Sequence, residues 1–306
     1  MKYFFKLLPL LILFAPCQAQ QYKPALHLVK GDTYYMVSTG NSAVVQSVNG
    51  KENKVNIAMS FKMAFKVTAI RDSVYDMEVS YQSLEMKLDV ANTTIDMDSK
   101  KKDSTDIPSS IIAAMMNKPF NITLTKSGKI KSVDNIEKMI MGVFDNFPKI
   151  DTAKKAQIKK QFLQSFGANT FKGSLETGTA IFPATAVSKN DKWTVNTNLE
   201  SPAKATVQTI YQLVDVTADF YQIHGDGTMV SDTSSKPLEI NGLPMKYNLS
   251  GTTLSDIKVS KTTGWISEIK LRQLMSGSIQ ILDNPRVPGG MIIPMTFNTE
   301  MSTTNK

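Results

Sequence analysis

The sequence predicts an α+β fold: a long, strongly bent antiparallel β-sheet, half-barrel-like and made of two pseudo-repeated β halves, with a central block of helices packed on its concave face. Three observations predict it. Residues 55–70, VNIAMSFKMAFKVTAI, place an apolar side chain at every odd position and mostly Asn, Ser, Lys or Thr between them. That is a strand with one apolar face, far longer than the usual five or six residues. Helical periodicity is confined to the middle of the chain, with strand alternation on either side, which argues against β–α–β units. Three short landmarks also recur in the same order before and after the helices.

The chain opens with MKYFFKLLPLLILFAPCQAQ, in which Lys2 and Lys6 precede an apolar run from Leu7 to Phe14 and a small-residue end. A basic start, a short apolar middle and such an end describe a secretory signal peptide, residues 1–19, cleaved after Ala19 or Gln20. The apolar run is too short to span a bilayer. Cys17 raises the alternative of a lipid anchor, but Pro16 stands where a lipidation signal carries a small residue. Once Cys17 leaves with the signal the chain has no cysteine, which excludes disulfides, thiolate metal sites and cysteine nucleophiles. The expected location is the periplasm or the extracellular space, with no transmembrane segment in the mature chain.

Residues 20–306 are expected to form a single domain: a β half over 22–133, a helical insert over about 108–182 and a β half over 187–301. GDTYYMVS (31–38) opens the strands and residues 55–70 follow. VYDMEVSY (74–81) alternates with Tyr75, Met77, Val79 and Tyr81 on one face, then changes phase to Leu84, Met86, Leu88 and Val90. A period-two pattern that slips by one residue without stopping predicts a bulge near Gln82–Ser83. With a tight turn at Arg71-Asp72-Ser73, residues 55–90 read as one long hairpin.

Helices come next. Pro108 suits the first turn of a helix over 108–116. Residues 135–147 set Ile136, Met139, Ile140, Val143, Phe144 and Phe147 at helical spacing, and residues 151–167 run from a capping Asp151 to a stop at Gly167. A shorter helix is expected around 169–179. Strand alternation resumes over 192–216, 220–230, 243–260, 264–282 and 291–301, where Pro294 predicts an edge or an exposed amide side.

The echo between the halves pairs VKGDTYY (29–35) with VSKNDKW (187–193), VTAIRDSVYDM (67–77) with LVDVTADFYQI (213–223), and ITLTKSGKIKSV (122–133) with IKVSKTTGWISEI (257–269). Gly128 and Gly264 each fall where a tight connection needs positive φ. Trp193 and Trp265, at strand starts, read as packing anchors. The KGD-x-Y start (30–34), the Asp191–Trp193 D-x-W, the TKSG and KTTGW turns and the IIPMTF last strand (292–297) resemble a family of exported Bacteroidota proteins of unknown function. That resemblance brings no catalytic residues. Long bent strands with helices against one face are also similar to the half-barrels of periplasmic lipoprotein carriers, a fold-level analogy.

Chemistry-bearing motifs are scarce. The only histidines are His27 and His224, and HGDG (224–227) reads as a hairpin turn. The acidic stretch 89–103 lacks the spacing of a calcium loop and carries Lys100–Lys102, so it reads as a solvated loop. There is no G-x-S-x-G elbow and no phosphate-cradling glycine pattern. The formal charge of +8, which falls to +6 once Lys2 and Lys6 leave, is diffuse, and Arg occurs only at 71, 272 and 286, unlike a nucleic-acid site. No catalytic, cofactor or metal residues are assigned, and nucleic acid is excluded as a partner. What remains is apolar surface rich in methionine, which suits variable apolar partners. The expectation is an exported non-enzymatic protein binding a lipid or other apolar ligand through Ile57, Met59, Phe61, Met63, Phe65, Met77 and Met86. The alternative is a structural or interaction role at the envelope, with the apolar face filled by the protein's own helices, and an envelope protein as partner.

Overall fold

The computed structural model describes residues 20–91, 93–101, 105–147, 151–199, 204–240 and 242–306. The signal-peptide reading, with Cys17, lies outside the described residues. In chain order the elements are β1 (Gln21–Tyr22), β2 (Thr33–Val48), β3 (Lys51–Arg71), β4 (Val74–Val90), β5 (Thr93–Asp98), α1 (Ile107–Met115), β6 (Phe120–Thr125), β7 (Ile130–Asp134), α2 (Ile136–Val143), a 3-10 turn (Phe144–Asn146), α3 (Thr152–Phe166), α4 (Ala168–Thr179), β8 (Val187–Ser188), β9 (Lys192–Leu199), β10 (Ala205–Val216), β11 (Phe220–Ser231), β12 (Leu238–Ile240), β13 (Leu243–Ser260), β14 (Ile266–Ile281) and β15 (Met291–Thr304).

Strands dominate and all their described pairings are antiparallel. The main sheet runs β7-β6-β4-β3-β2-β15-β14-β13-β11-β10-β9, with β5 and β12 as side branches on β4 and β13. β7 and β9 do not pair, so the sheet is not closed. The long hairpin forms as the alternation requires, and its β3–β4 ladder shifts register at Met63, opposite Tyr81, by skipping Gln82. A second shift falls between Val67 and Ala69.

The internal echo is a structural repeat. Gly31 N donates to Val67 O and Val67 N to Asp32 O; at matching positions Asn190 N donates to Leu213 O and Leu213 N to Asp191 O. The register shift at Val67/Ala69 returns at Leu213/Asp215. Lys126 N donates to Ser73 O as Lys261 N does to Asp219 O. Tyr34 faces Phe65 where Trp193 faces Tyr211. Strands β2-β3-β4-β6-β7 therefore match β9-β10-β11-β13-β14. β15 joins the end of the second set to the start of the first, with ladders to β14 and β2.

Side-chain chemistry explains the turns that join these strands. Gly128 and Gly264 have φ of 80° and 67°, the left-handed region that an L side chain enters at a cost. Each lies against backbone: a Cβ at Gly128 would overlap Thr179 O, and one at Gly264 would overlap Ala25 O. Trp265 anchors the second turn, with its ring 5.3 Å from both Tyr34 and Phe65 and its Nε1 donating to Tyr35 O. One large core then gathers Phe65, Val67, Tyr75, Met77 and Val79 with Ile111 and Met115 of α1, Ile136 and Ile140 of α2, and Leu213, Ile223 and Ile257 of the second repeat.

Three sequence expectations change, and the one for Pro294 is met by its unpaired side. The stretch 192–216 is two strands, β9 and β10, paired to each other. Residues 224–227 lie inside β11 rather than in a turn. Gly225 is there because a Cβ would come 2.5 Å from Ser255 Oγ and 2.7 Å from the Tyr211 ring. The acidic stretch contains β5, an exposed strand whose Asp96 pairs with Lys101 at 2.9 Å. Pro294 sits in an interior strand, but β15 pairs with β2 only from Met295 onward, so its missing amide is required by no ladder on that side.

Candidate functional site

The helices that face the sheet follow from local chemistry. Asp151 caps α3, its carboxylate accepting from Ala153 N and Lys154 N at 3.0 and 3.1 Å. α3 ends at Gly167, from which α4 begins. α4 touches both edge strands of the sheet. Its buried Glu176 accepts from Ile130 N of β7 at 2.6 Å, a bond that occupies an edge amide. Thr179 Oγ1 donates to Gly128 O at 2.7 Å. On its other side Gly173 lets the helix approach β9, where an added Cβ would stand 3.3 Å from Leu199 Cδ2. Trp193 Nε1 of β9 donates to Ile181 O just beyond the helix.

Between these helices and the strands lies a partly open cavity of about 410 Å³. That is nearly three times the roughly 150 Å³ apolar void known to admit benzene, and it falls within the range of about 300–1,000 Å³ for small-molecule sites. Helices contribute Phe166, Phe171, Leu175 and Gly178 to its wall. Strands contribute Met36, Met59, Phe61, Met63, Tyr81, Leu84, Val207, Tyr211, Ile257, Ile269, Leu271 and Met301. The strand side also carries Leu199 and a band of hydroxyls, Ser38, Thr209, Thr253, Ser255, Thr299 and Thr303, with Gln273, and the helix side adds Ser165, Thr170, Ser174 and Thr177. Ser38 bonds Thr303 and Ser42 bonds Thr299, each at 2.7 Å, across the β2–β15 ladder.

Along β3 the one apolar face has three surroundings. Met59, Phe61 and Met63 line the cavity. Ile57 packs, with Val55, against a separate small cluster of Val44, Leu249 and Met295. Phe65, 0% exposed, and Met77 of β4, 1% exposed, belong to the main core. Met86 stands opposite Met59 in the ladder, half-buried and outside the cavity wall. The hydroxyl band was not legible as a site, because Ser and Thr on an alternating strand read as its wet face. The usable signal was spacing: Ser255 and Thr253 continue the inward set of Val259 and Ile257 at steps of two.

His224 does meet a carboxylate, Nδ1 lying 2.8 Å from Asp256 Oδ1 across β11–β13. The side chains are 40% and 77% exposed and neither lines the cavity, so the pair is a cross-strand surface contact. Among the described residues no group of three His, Cys, Asp or Glu side chains could hold a metal ion. No helix among the described residues is long and apolar enough to cross a membrane.

Burial pushes the phenol of Tyr81 far above its ordinary range and that of Tyr211 up to about 12, where a hydrogen bond with Thr209 opposes the shift. An acid whose folded pKa is raised gives stability that is intact below its unfolded value, about 10, and lost as pH rises past it. The urea midpoint should therefore hold to about pH 10 and drop steeply up to about pH 12, with the drop shallower in Tyr81→Phe. Equal slopes in both proteins would show that Tyr81 ionises as freely folded as unfolded.

Fold and cavity together define an open antiparallel β-sheet protein with an unfilled, largely apolar cavity beneath its helices. The chain belongs to a family of unknown function, DUF6263, whose model matches residues 72–266, from the β3–β4 turn through all four helices to the start of β14. No curated protein matches it. Among solved structures, one reported for lipid–protein interactions in lipovitellin aligns at a TM-score of 0.46 and 9% identity. It covers 92% of this chain and 25% of that one, so this chain spans about a quarter of lipovitellin's length. An outer membrane channel from Pseudomonas putida F1 aligns at a TM-score of 0.24 and 8% identity, over 95% of this chain and 98% of its own. These similarities are too low to carry a conclusion about ligand or fold.

Proposed function

We propose that the mature chain is an exported, non-enzymatic protein of the cell envelope that holds a lipid or other apolar ligand between a half-barrel-shaped sheet and helices on its concave side. The carrying observation is the cavity of about 410 Å³ whose wall is mostly methionine, aromatic and branched aliphatic side chains. Flexible, polarisable thioethers at Met36, Met59, Met63 and Met301 adapt to ligands of varied shape. The curvature is supported by α4. Eleven strands laid flat would span about 48 Å, yet one helix of about 18 Å touches both edges. The sheet curls, and α4 occupies the gap between β7 and β9 that β15 fills between β14 and β2.

Export rests on the basic, apolar and small-residue segments of residues 1–19. A non-enzymatic role is supported by the cavity wall, whose only titratable groups among the described residues are two phenols held protonated by burial. A purely structural role would need the helices to fill the sheet face, and the cavity argues against it. Native mass spectrometry of the chain released gently from the envelope tests the reading, together with uptake of the hydrocarbon dye diphenylhexatriene by the stripped protein. A bound apolar mass or saturable dye fluorescence is expected. A ligand-free protein that leaves the dye dark would overturn it.

A further inference from the structure

Among the described residues the cavity wall contains no Asp, Glu, Lys, Arg or His. Most of its hydroxyls already have protein partners, as in the Ser38–Thr303 pair and the bond from Gln273 Nε2 to Thr253 Oγ1 at 3.2 Å. Tyr81 and Ser255 differ. Both are only 7% exposed, and among the described residues neither side chain has a hydrogen-bonding partner. Yet among the described residues no buried side-chain oxygen or nitrogen is sealed away without a partner. Both hydroxyls therefore open onto the cavity they line, from strands β4 and β13, five places apart in the sheet order.

We propose, resting on the apolar-ligand reading above, that the ligand class is an uncharged amphiphile: an apolar body bearing an alcohol, ester or ketone oxygen that accepts a hydrogen bond from Tyr81, with Ser255 as a second polar contact. An oxygen bonded to Tyr81 satisfies a donor that otherwise stays unpaired in a low-dielectric wall, where unpaired polar groups are costly. Burial keeps the Tyr81 phenol protonated at neutral pH, so it is a permanent donor. An ionised carboxylate or ammonium finds no counter-charge inside and loses its hydration on entry. Hydrocarbon alone fits the apolar wall but leaves both hydroxyls unanswered.

The test is competition for diphenylhexatriene, which carries no hydrogen-bonding atom, by dodecanol, methyl dodecanoate, dodecane and dodecanoate at mildly alkaline pH. Dodecanol and methyl dodecanoate should displace the dye at concentrations at least about tenfold lower than dodecanoate. Tyr81→Phe, which keeps the ring against Phe120 and Phe166, should weaken the alcohol and ester by roughly five- to tenfold relative to dodecane measured on the same variant. Ser255→Ala should weaken them less. Dodecanoate competing as well as dodecanol, or Tyr81→Phe changing no competitor, would overturn the uncharged-amphiphile assignment while dye uptake kept the cavity reading intact. Failure of the wild-type chain to take up the dye would overturn both.

Discussion

Gly264→Ala should destabilise the mature chain by about 3 kcal/mol or more, and Gly128→Ala by a similar amount, whereas Gly50→Ala should cost only about 1–2 kcal/mol. All three glycines have positive φ, at 67°, 80° and 76°. Gly50 has nothing within 4 Å of an added Cβ, so only the backbone preference opposes the side chain. At Gly264 the new methyl overlaps Ala25 O and stands 2.7 Å from Leu26 Cα. Either the turn opens or the arm carrying Leu26 and Leu28 lifts, and these are 2% and 4% exposed. Burial of a leucine contributes about 1.5–3 kcal/mol, so lifting the arm is the expensive outcome. At Gly128 the overlap is with Thr179 O, at the end of α4, and relief there loosens the helix from β7. Urea midpoints at unchanged slope measure all three. Equal losses at Gly50 and Gly264 would mean that the close approach contributes nothing.

Met59→Trp should reduce diphenylhexatriene affinity at least about tenfold while leaving stability unchanged or raised by roughly 1 kcal/mol. Phe65→Ala, six residues further along the same face of β3, should do the reverse, costing about 3–5 kcal/mol. The difference comes from what each side chain meets. Met59 faces open space, so added volume replaces ligand rather than displacing protein. Phe65 is 0% exposed, against Trp265 and the main core, so truncation leaves a hole that rigid neighbours cannot close. Dye titration and thermal melts on the two variants read both quantities. A Met59→Trp chain that binds dye normally would place the dye elsewhere.

Much of the fold was legible because its signals are local. The helix limits at Asp151 and Gly167, the phase slip at Gln82 and the repeated Lys-turn-Gly segments all act within a few residues, and the structure keeps each one. β5 and the far half of β2 were less legible. Their faces carry Asp, Thr, Ser, Asn and Gly, and at Ser42 the polar side chain is paired across the sheet rather than solvated. The glycines of β11 read as a turn because sequence gives no sign of the Tyr211 ring in the Cβ space of Gly225 or of the Thr209 hydroxyl in that of Gly227. The apolar stripe on β3 was visible as one face. Its division among cluster, cavity and core was not, because that depends on how far the helices reach over each part of the strand.

Ligand binding as proposed requires a cavity that the helices leave unfilled, and a crystal of the mature chain pressurised with xenon tests this most directly, since apolar voids take up the gas. Xenon density should appear among Met59, Phe61, Met63, Tyr81 and Phe171. A wall closed by α3 and α4 settling onto those side chains, with no xenon between them, would contradict it.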